Sequence, residues 1–500
     1  MYLMGLDVGT TGTKACVFSP EGKLMGYGFE EYDVDCPSPG YAEQDAEHVF
    51  EAALRVMAAA AAQSGGEIAA IGLSVQGDAV IALDENDRPI APVQLGMDYR
   101  CADDSRAFAD RFGERALFAR TGMRPHPLNS ICKVRNFART LPDAQERVKH
   151  YVTYADFFLR RLGSDGYAID NTMATRTMGV ALETMDWDGE LIGFAGARRE
   201  QLSDPVPSGV VVGKLRDSLA DQTGIRRGAL LVTGGHDQTC AALGAGLVRP
   251  DLALDSHGTA EVISTAFTKP RLEDSMFAGG FPCYAHSVAG MYFTFALNHT
   301  GGILLKWVVD SFCAADRAPA EAANESLYGY VLNQAADAPS KLLVLPYFNG
   351  KGTPGNDLDA KGMIAGLTLS ATRHDIARAV VESLCFDMRE NLEALRGANI
   401  PVESLRCVGG GARSPRGLQL KADITGLPVH TLVIREAACL GAAMLAGLAV
   451  GEYKSPEDAA QIVRLDRTYE PRAAESAHYA ERYKLYRELY AVNRSLLHQL

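Results

Sequence analysis

Two segments of the chain, 248 residues apart, repeat one pattern: an apolar run, an aspartate, a Gly-Thr turn and a second apolar run. The first segment places Asp7 before a turn at residues 9–12, and the second places Asp255 before a turn at residues 258–259. Short apolar runs around such turns are typical of paired strands. The repeat predicts an internal duplication, with two related α/β domains over 1–250 and 251–500 that each present a hairpin to a shared cleft. Spacing alone leaves a chance recurrence as an equal alternative.

The composition agrees with a two-domain globular protein and excludes several classes of function. A chain of 500 residues is too long for one ordinary domain, and its 47% hydrophobic and 22% charged residues are typical of folded proteins. The net charge of −13 disfavours a broad surface for nucleic acid or anionic membranes. An anionic small molecule stays compatible with this charge, because backbone amides at a helix start can hold phosphate.

The cysteines and apolar runs predict a cytoplasmic protein. The ten cysteines contain no C-x-x-C pair, so we expect reduced and mostly buried thiols. The N-terminal segment has no basic region and only a short apolar run, which does not fit a signal peptide. The longest apolar stretch, residues 437–451, is too short to span a bilayer and is expected to form a core helix.

Apolar periodicity predicts further elements around the motifs. A helix is expected from an N-cap at Asp45 to about residue 62, followed by a strand at 68–75. Residues 103–119 are expected to form another helix, and the polar segment 170–188 a loop. The P-loop, G-x-G-x-x-G, protein-kinase and H-E-x-x-H motifs are all missing from the sequence.

The first turn has the residue types that phosphate binding requires. Its glycines let the backbone approach a ligand, and successive amides in a tight turn can form an anion-binding nest. The hydroxyls of Thr10 and Thr11 can donate to phosphate oxygens, and Lys14 adds a positive charge. Asp7, at the end of the strand, is a candidate to hold Mg²⁺ through water. The alternative is an ordinary hairpin turn with exposed threonines.

Two later glycine segments are further candidates. Asp237 follows two glycines at the end of an apolar strand and precedes a helix, so its carboxylate is a candidate general base. Taken alone, the segment favours an N-cap role for Asp237. The glycine triplet at 409–411 lies between a predicted strand and a predicted helix, which suits close approach of a flat or phosphorylated ligand, although a helix-start loop explains it equally well.

Seven segments in order along the chain resemble the motifs of the FGGY carbohydrate kinase family and make the chain xylulokinase-like. They are residues 7–14, 94–100, 234–237, 255–260, 346–382, 409–414 and 436–447. The resemblance implies two actin-like (ribonuclease-H-like) domains that close on MgATP and a sugar. It also favours the general-base role of Asp237 over the N-cap.

The resemblance implies a role for each matching residue. Mg²⁺ is expected near Asp7, and phosphate contacts are expected from Thr10, Thr11, Lys14, Gly258 and Thr259. Adenosine and its α-phosphate are expected along Gly302, Gly410, Gly411, Ala412 and Ser414. The sugar is expected to contact Gln76, Gly77, Asp78, Asp98, Arg100, Asp237 and Gln238.

The chain departs from the family at two substrate segments. Gln76-Gly77-Asp78-Ala79 stands where xylulokinases carry Gln-Met-His-Gly, and Gly96-Met97-Asp98 stands where they carry Trp-Asn-Asp. A lost imidazole and a lost indole change the hydrogen bonding and the shape of a pocket. We therefore expect an ATP-dependent kinase of a small ketose or polyol, pentulose-like, and leave the sugar open.

Two other classes of protein and the oligomeric state also stay open. A non-catalytic sugar- or nucleotide-binding regulator on the same fold is one alternative, and an actin-like ATPase is another. Soluble enzymes of this kind often form closed homo-oligomers, so a dimer is compatible with the sequence.

Overall fold

The computed structural model describes residues 1–500, apart from the side chain of Gln145. The strands of the first half are β1 (Tyr2–Val8), β2 (Gly12–Phe18), β3 (Leu24–Glu31), β4 (Glu43–Gln44), β5 (Ile68–Val75), β6 (Ile81–Leu83), β7 (Val93–Gln94), β8 (His150–Val152), β9 (Ala168–Asp170), β10 (Val180–Ala181), β11 (Asp186–Trp187), β12 (Asp204–Val206), β13 (Val211–Lys214) and β14 (Leu230–His236). Its α-helices are α1 (Ala46–Ser64), α2 (Ala102–Phe112), α3 (Glu114–Thr121), α4 (Ser130–Thr140), α5 (Ala144–Arg147), α6 (Tyr154–Leu162), α7 (Asn171–Arg176), α8 (Gly189–Ala195), α9 (Asp217–Thr223) and α10 (Asp237–Gly244).

The second half is also a mixture of strands and helices. Its strands are β15 (Asp251–His257), β16 (Glu261–Phe267), β17 (Tyr284–Ala285), β18 (Tyr292–Asn298), β19 (Leu343–Leu345), β20 (Met363–Ala365), β21 (Val402–Gly409), β22 (Val429–Leu432) and β23 (Leu465–Tyr469). Its α-helices are α11 (Asp274–Gly279), α12 (Gly302–Phe312), α13 (Arg317–Ala322), α14 (Leu327–Gln334), α15 (Arg373–Gly397), α16 (Pro415–Thr425), α17 (Ala437–Ala449), α18 (Pro456–Ala460) and α19 (Ala473–Leu497). Short 3₁₀ turns lie at Arg199–Gln201, Ala314–Asp316 and Gly411–Arg413.

Each half is built on one mixed sheet, and the two sheets share their strand order. The first runs β3-β2-β1-β5-β14-β13, and the second runs β18-β16-β15-β21-β22-β23 with β17 added beside β18. In both sheets the first three strands of this order pair antiparallel, the third, fourth and fifth pair parallel, and the sixth pairs antiparallel with the fifth. The duplication inferred from the two Gly-Thr segments is thus present in the topology.

Two helices lie between the sheets and join the halves. Buried residues of α10 and α17 form one apolar cluster with Leu3 of β1, Val232 of β14 and Leu254 of β15. The opposite face of the first sheet packs on α1, and the opposite face of the second packs on α15 and α16. The core helix predicted for residues 437–451 is present as α17, which ends at Ala449. None of the helices in the described chain is long and apolar enough to cross a membrane.

The local predictions hold with two corrections. Asp45 caps α1 by accepting from the amide of Glu47, and nine of the ten cysteines are buried and unpaired. The helix expected over 103–119 is broken at Gly113, whose φ of 80° separates α2 from α3. The prediction of a loop over residues 170–188 was wrong. This segment holds α7 and two short strands, because Asp170 caps α7 through the amides of Thr172 and Met173.

Candidate active site

Three parallel strands of the first sheet end at the same edge and bring the two candidate acids there. Asp7 of β1 pairs in register with Ser74 of β5, and Gly235 of β14 pairs with the same serine from the other side. Chain segments that follow parallel strands meet at one edge of a sheet, where open α/β sheets bind ligands. Asp237, the first residue of α10, follows β14 directly and so lies beside Asp7.

Asp237 is oriented from two sides and remains reachable. The backbone amide of Gln238 donates to its Oδ1 at 2.6 Å, and Nε2 of His236 lies 3.1 Å from the same oxygen. His236, not Asp237, occupies the N-cap position of α10. The side chain of Asp237 is 34% exposed. One carboxylate oxygen is therefore held, while the other can face a ligand.

The surroundings of Asp237 bring its pKa close to neutral pH. Burial and the nearby carboxylate of Asp7 raise the pKa of Asp237 to about 7, while the guanidinium of Arg176 opposes them. Burial and Arg176 hold the pKa of His236 well below its usual range, so this imidazole is neutral. A carboxyl group with a pKa near the working pH is suited to general-base catalysis.

Asp7 is the other carboxylate of the site. The hydroxyl of Ser74 donates to its Oδ1 at 2.6 Å, and burial raises its pKa. No group of three or more His, Cys, Asp or Glu side chains in the described part of the chain could hold a metal ion. A single carboxylate fits Mg²⁺ nevertheless, because Mg²⁺ in phosphoryl-transfer sites takes one or two carboxylates and completes its shell with phosphates and water.

The first hairpin turn is braced from within its own half. The hydroxyl of Thr10 donates to Oε1 of Gln76 at 3.0 Å, and Nε2 of Gln76 donates to the carbonyl of Gly9 at 3.2 Å. Gln44 adds a bond to the carbonyl of Thr10 at 2.6 Å. Gln76, which the sequence assigned to the sugar, is thus buried and committed to the hairpin, while Thr11 is exposed.

The predicted phosphate ligand Lys14 already has a partner in this structure. Its ammonium lies 2.8 Å from the carboxylate of Glu436, which precedes α17 in the second half. Both side chains are half-buried, so the pair links the two halves at the cleft. A phosphate contact by Lys14 would require it to exchange this partner.

The second hairpin and its neighbours assemble the residues predicted for the nucleotide. Gly258 and Thr259 are exposed, and their carbonyls accept from the amides of Gly302 at 2.9 Å and Gly301 at 2.9 Å, respectively. The loop after β21 lies alongside. Gly410 and Ala412 line a cavity of about 720 Å³ together with Lys14 and Glu436. Gly411 is half-buried in the same loop, and Ser414 caps α16 through the amide of Gly417.

Some of the residues predicted to contact the sugar are accessible near Asp237, and others are buried in ion pairs. Gly77 and Gln238 are half-exposed near Asp237. Asp78 is buried and forms an ion pair with Arg176, which is also buried. Asp98 is fully buried, accepting from Arg100 and from the amide of Ala42 at 2.8 Å.

Arg100 holds this part of the fold together. It also pairs with Glu43 at 2.6 Å and lies 3.7 Å above the ring of Tyr41. Asp98 and Arg100 therefore fix the loop after β7, and Asp98 has no face open to a sugar.

Sequence reasoning missed several residues of the site. Arg176 was hidden in the segment taken for a loop, and Ser74 and Gln44 carry no motif of their own. His257 and Glu261 flank the second turn, and their contact with each other follows from strand pairing. Lys421 could have been found from the sequence, because a lysine on the buried face of the helix predicted after the glycine triplet requires a buried acid as its partner.

Two protein-family models match the chain, one in each half. The model of the N-terminal domain of the FGGY family of carbohydrate kinases matches residues 2–244, and that of the C-terminal domain matches residues 253–450. The chain belongs to the FGGY family of carbohydrate kinases. It is a sugar kinase, and its family implies ATP as the phosphoryl donor.

The similar proteins differ in the acceptor they are named for. A gluconokinase of Bacillus subtilis (strain 168) is 28% identical, over 91% of this chain and 88% of its own. A xylulose kinase of Lactococcus lactis subsp. lactis (strain IL1403) is 26% identical, over 100% of this chain and 98% of its own. The crystal structure of a gluconate kinase from Lactobacillus acidophilus superposes with a TM-score of 0.89 at 25% identity, covering 98% of each chain.

Proposed function

We propose that this kinase transfers the γ-phosphoryl group of ATP to a hydroxyl of a small ketose or polyol, pentulose-like, with Asp237 as the general base. The observation that carries the proposal is Asp237 itself, reachable from the cleft with a pKa raised to about 7. Burial also raises the pKa of the structural cap Asp170 to about 6, but Asp170 is buried. Asp237 combines a pKa near the ambient pH with access from the cleft, which suits it to accept a hydroxyl proton.

The arrangement around Asp237 supports this role at the level of atoms. Nε2 of neutral His236 donates towards Oδ1, and the amide of Gln238 donates to the same oxygen at 2.6 Å. In that tautomer, Nδ1 of His236 accepts from the hydroxyl of Tyr284 at 3.4 Å. Oδ2 is left to accept the proton of the acceptor hydroxyl as that oxygen attacks the γ-phosphorus.

The phosphates would lie between the two hairpin turns. The exposed residues Thr11 and Thr259 would offer hydroxyls from the two halves. Thr10, whose hydroxyl donates to Gln76, and Gly258, whose amide donates to the carbonyl of Ala260 at 3.0 Å, would have to exchange these partners. Bound Mg²⁺ at Asp7 would neutralise charge on the phosphate oxygens. Phosphoryl transfer has a loose transition state, so positioning and charge neutralisation supply most of the acceleration. Closure of the halves would exclude water from the transferred group.

The charges near Asp237 favour a neutral acceptor over a sugar acid. Nη2 of Arg176 pairs with Asp78, while its Nε and Nη1 bond no group in the described part of the chain. Arg100 pairs with Asp98 and Glu43. The buried ammonium of Lys133 donates to the carbonyls of Pro127 and Leu128 at 2.9 and 2.7 Å. Each of these cations thus has at least one protein partner, and the carboxylates of Asp7 and Asp237 would repel the carboxylate of a sugar acid.

A coupled assay of ADP release tests the proposal. MgATP is presented with four- to seven-carbon ketoses, aldoses and polyols, glycerol and gluconate. We expect a saturable rate with one neutral acceptor and a much weaker rate with gluconate. Asp237→Asn should lower kcat by at least about 100-fold. Asp221→Asn, on the exposed surface of α9 and paired with Arg227 of the same half, should not change it.

Each outcome of this assay is informative. Near wild-type turnover by Asp237→Asn would refute the base assignment. A preference for gluconate would refute the neutral acceptor. ATP binding without turnover on any acceptor would favour the non-catalytic alternative.

A further inference from the structure

His257 is the meeting point of the three segments assigned to the nucleotide. It is the last residue of β15 and precedes the turn at Gly258. Its ring packs on the backbone of Gly411, since a Cβ placed on that glycine would lie 2.3 Å from Cγ of the imidazole. A Cβ on Gly302, at the start of α12, would lie 3.8 Å from Nε2. The ring therefore lies between the second turn, α12 and the loop after β21.

A buried ion network fixes the hydrogen on one side of this ring. Nδ1 of His257 lies 2.9 Å from Oε1 of Glu261, which is 1% exposed. Burial alone would raise the pKa of Glu261, but the ammonium of Lys421, followed by His257, holds it well below its usual range. An ionised carboxylate only accepts hydrogen bonds, so Nδ1 carries the hydrogen and donates it to Glu261.

The other ring nitrogen is open. The side chain of His257 is 17% exposed, and Nε2 has no hydrogen-bond partner in the described part of the chain. The charged groups packed around the ring are Glu261 and, behind it, Lys421 and Asp255. The segments that contain Gly302 and Gly411 contribute backbone at this contact. No group in the described part of the chain therefore competes for Nε2.

The equivalent position in the first half is different. In the repeated pattern Asp7 corresponds to Asp255, and the second segment has one more residue, His257, before its Gly-Thr turn. Asp255 is fully buried and already bonded by Lys421 and by the thiol of Cys407 at 2.8 Å, whereas Asp7 has only Ser74. The first hairpin thus keeps a carboxylate without a direct ion-pair partner, which suits a cation, and the second carries a basic side chain, which suits an anion.

We propose that His257, as an imidazolium, donates Nε2–H to a phosphate oxygen of the bound nucleotide, and that Glu261 and Lys421 position its ring. The inference rests on the proposed function, since it needs a nucleotide between the hairpins. Donation from Nε2–H while Nδ1–H donates to Glu261 requires a hydrogen on both ring nitrogens, so the complex holds one proton more than a ring protonated at Nδ1 alone. Binding is then linked to a proton uptake that depends on His257 and adds to any uptake by Asp237, whose pKa of about 7 an arriving anion raises further.

Calorimetric titration of the full chain with MgADP, without acceptor, tests the proposal. At pH 8, above the usual titration range of imidazole, the heat of binding is measured in two buffers that differ in ionisation enthalpy. We expect wild type to take up protons. His257→Gln should bind MgADP at least about tenfold more weakly, the size of one charge-assisted hydrogen bond, with reduced proton uptake.

Three further variants separate a phosphate contact from a structural role. His257→Lys should recover part of the affinity without the proton uptake, because its cation does not titrate at this pH. Glu261→Gln should reduce the uptake while keeping the ring in place. His48→Gln, on the exposed surface of α1, should behave as wild type.

The outcomes distinguish this inference from the proposed function. Wild-type affinity and proton uptake in His257→Gln would overturn the inference alone. So would binding by wild type without proton uptake, a result that needs no variant to fold. Failure of wild type to bind MgADP at all would overturn the proposed function together with it.

Discussion

At the scale of single residues, three aspartates at strand ends differ in what surrounds them. Asp255 is neutralised by Lys421, Asp7 is bonded by one serine, and Asp237 is flanked by a neutral histidine and a backbone amide. The first is structural, the second is suited to a cation, and the third to a proton. Their partners, rather than their residue type, divide these roles.

The pH dependence of turnover should report Asp237. Burial and Asp7 raise its pKa to about 7, and the base acts only when ionised, so activity is lost as pH falls through that value. We expect kcat/KM for the acceptor to rise between about pH 6 and pH 8 and then level, measured at saturating MgATP. A profile that stays flat down to pH 5 would mean that the base has an ordinary carboxyl pKa.

At the scale of elements, the crossing of α10 and α17 holds the halves together at very short range. A Cβ on Gly441 of α17 would lie 1.9 Å from the carbonyl oxygen of Cys240 in α10. A Cβ on Gly244 of α10 would lie 1.9 Å from the carbonyl oxygen of Ala437. Each helix thus uses a glycine to admit the backbone of the other, and the same apolar cluster reaches both sheets.

This crossing predicts an unusual sign for a glycine-to-alanine substitution. Within a helix the change normally stabilises by up to about 1 kcal/mol. Gly441→Ala should instead destabilise by about 1–3 kcal/mol through overpacking, measured by denaturant unfolding. Gly193→Ala in α8, where a Cβ meets nothing within 4 Å, is the matched control and should be neutral or stabilising. Stabilisation by Gly441→Ala would contradict the close crossing.

At the scale of the whole molecule, two copies of one topology face a common cleft, and an ion pair spans it. Lys14 of the first half and Glu436 of the second are 2.8 Å apart and half-buried. Such pairs contribute only about 0.2–1 kcal/mol. The pair is therefore weak enough for a bound phosphate to replace the carboxylate.

Opposite substitutions in this pair should move nucleotide affinity in opposite directions. If Lys14 turns to the phosphates, Glu436→Gln removes its competitor and should strengthen MgATP binding about two- to fivefold. Lys14→Gln should weaken it. Both effects are read from the dissociation constant of MgATP by calorimetry. An unchanged affinity in both variants would assign the pair to holding the halves together.

The sequence by itself determined the local parts of this protein. Residues 68–75 form the predicted strand, Asp45 caps the predicted helix, and both Gly-Thr segments form hairpins at equivalent places. These features depend on side chains within a few residues of one another, or on a repeated motif. That is why periodicity, capping and turn chemistry were enough to find them.

Only the tertiary structure decided which polar groups are open and which are already bonded. Gln76, Asp98 and Lys14 have side chains that could bind a ligand, but each is bonded within the protein. Gln76 bonds Gly9 and Thr10, Asp98 pairs with Arg100, and Lys14 pairs with Glu436. The partners lie between 2 and 422 residues away along the chain. Desolvation and pairing are set by whatever the fold places alongside, so the pKa of Asp237 and the open nitrogen of His257 became visible only once both halves were in place.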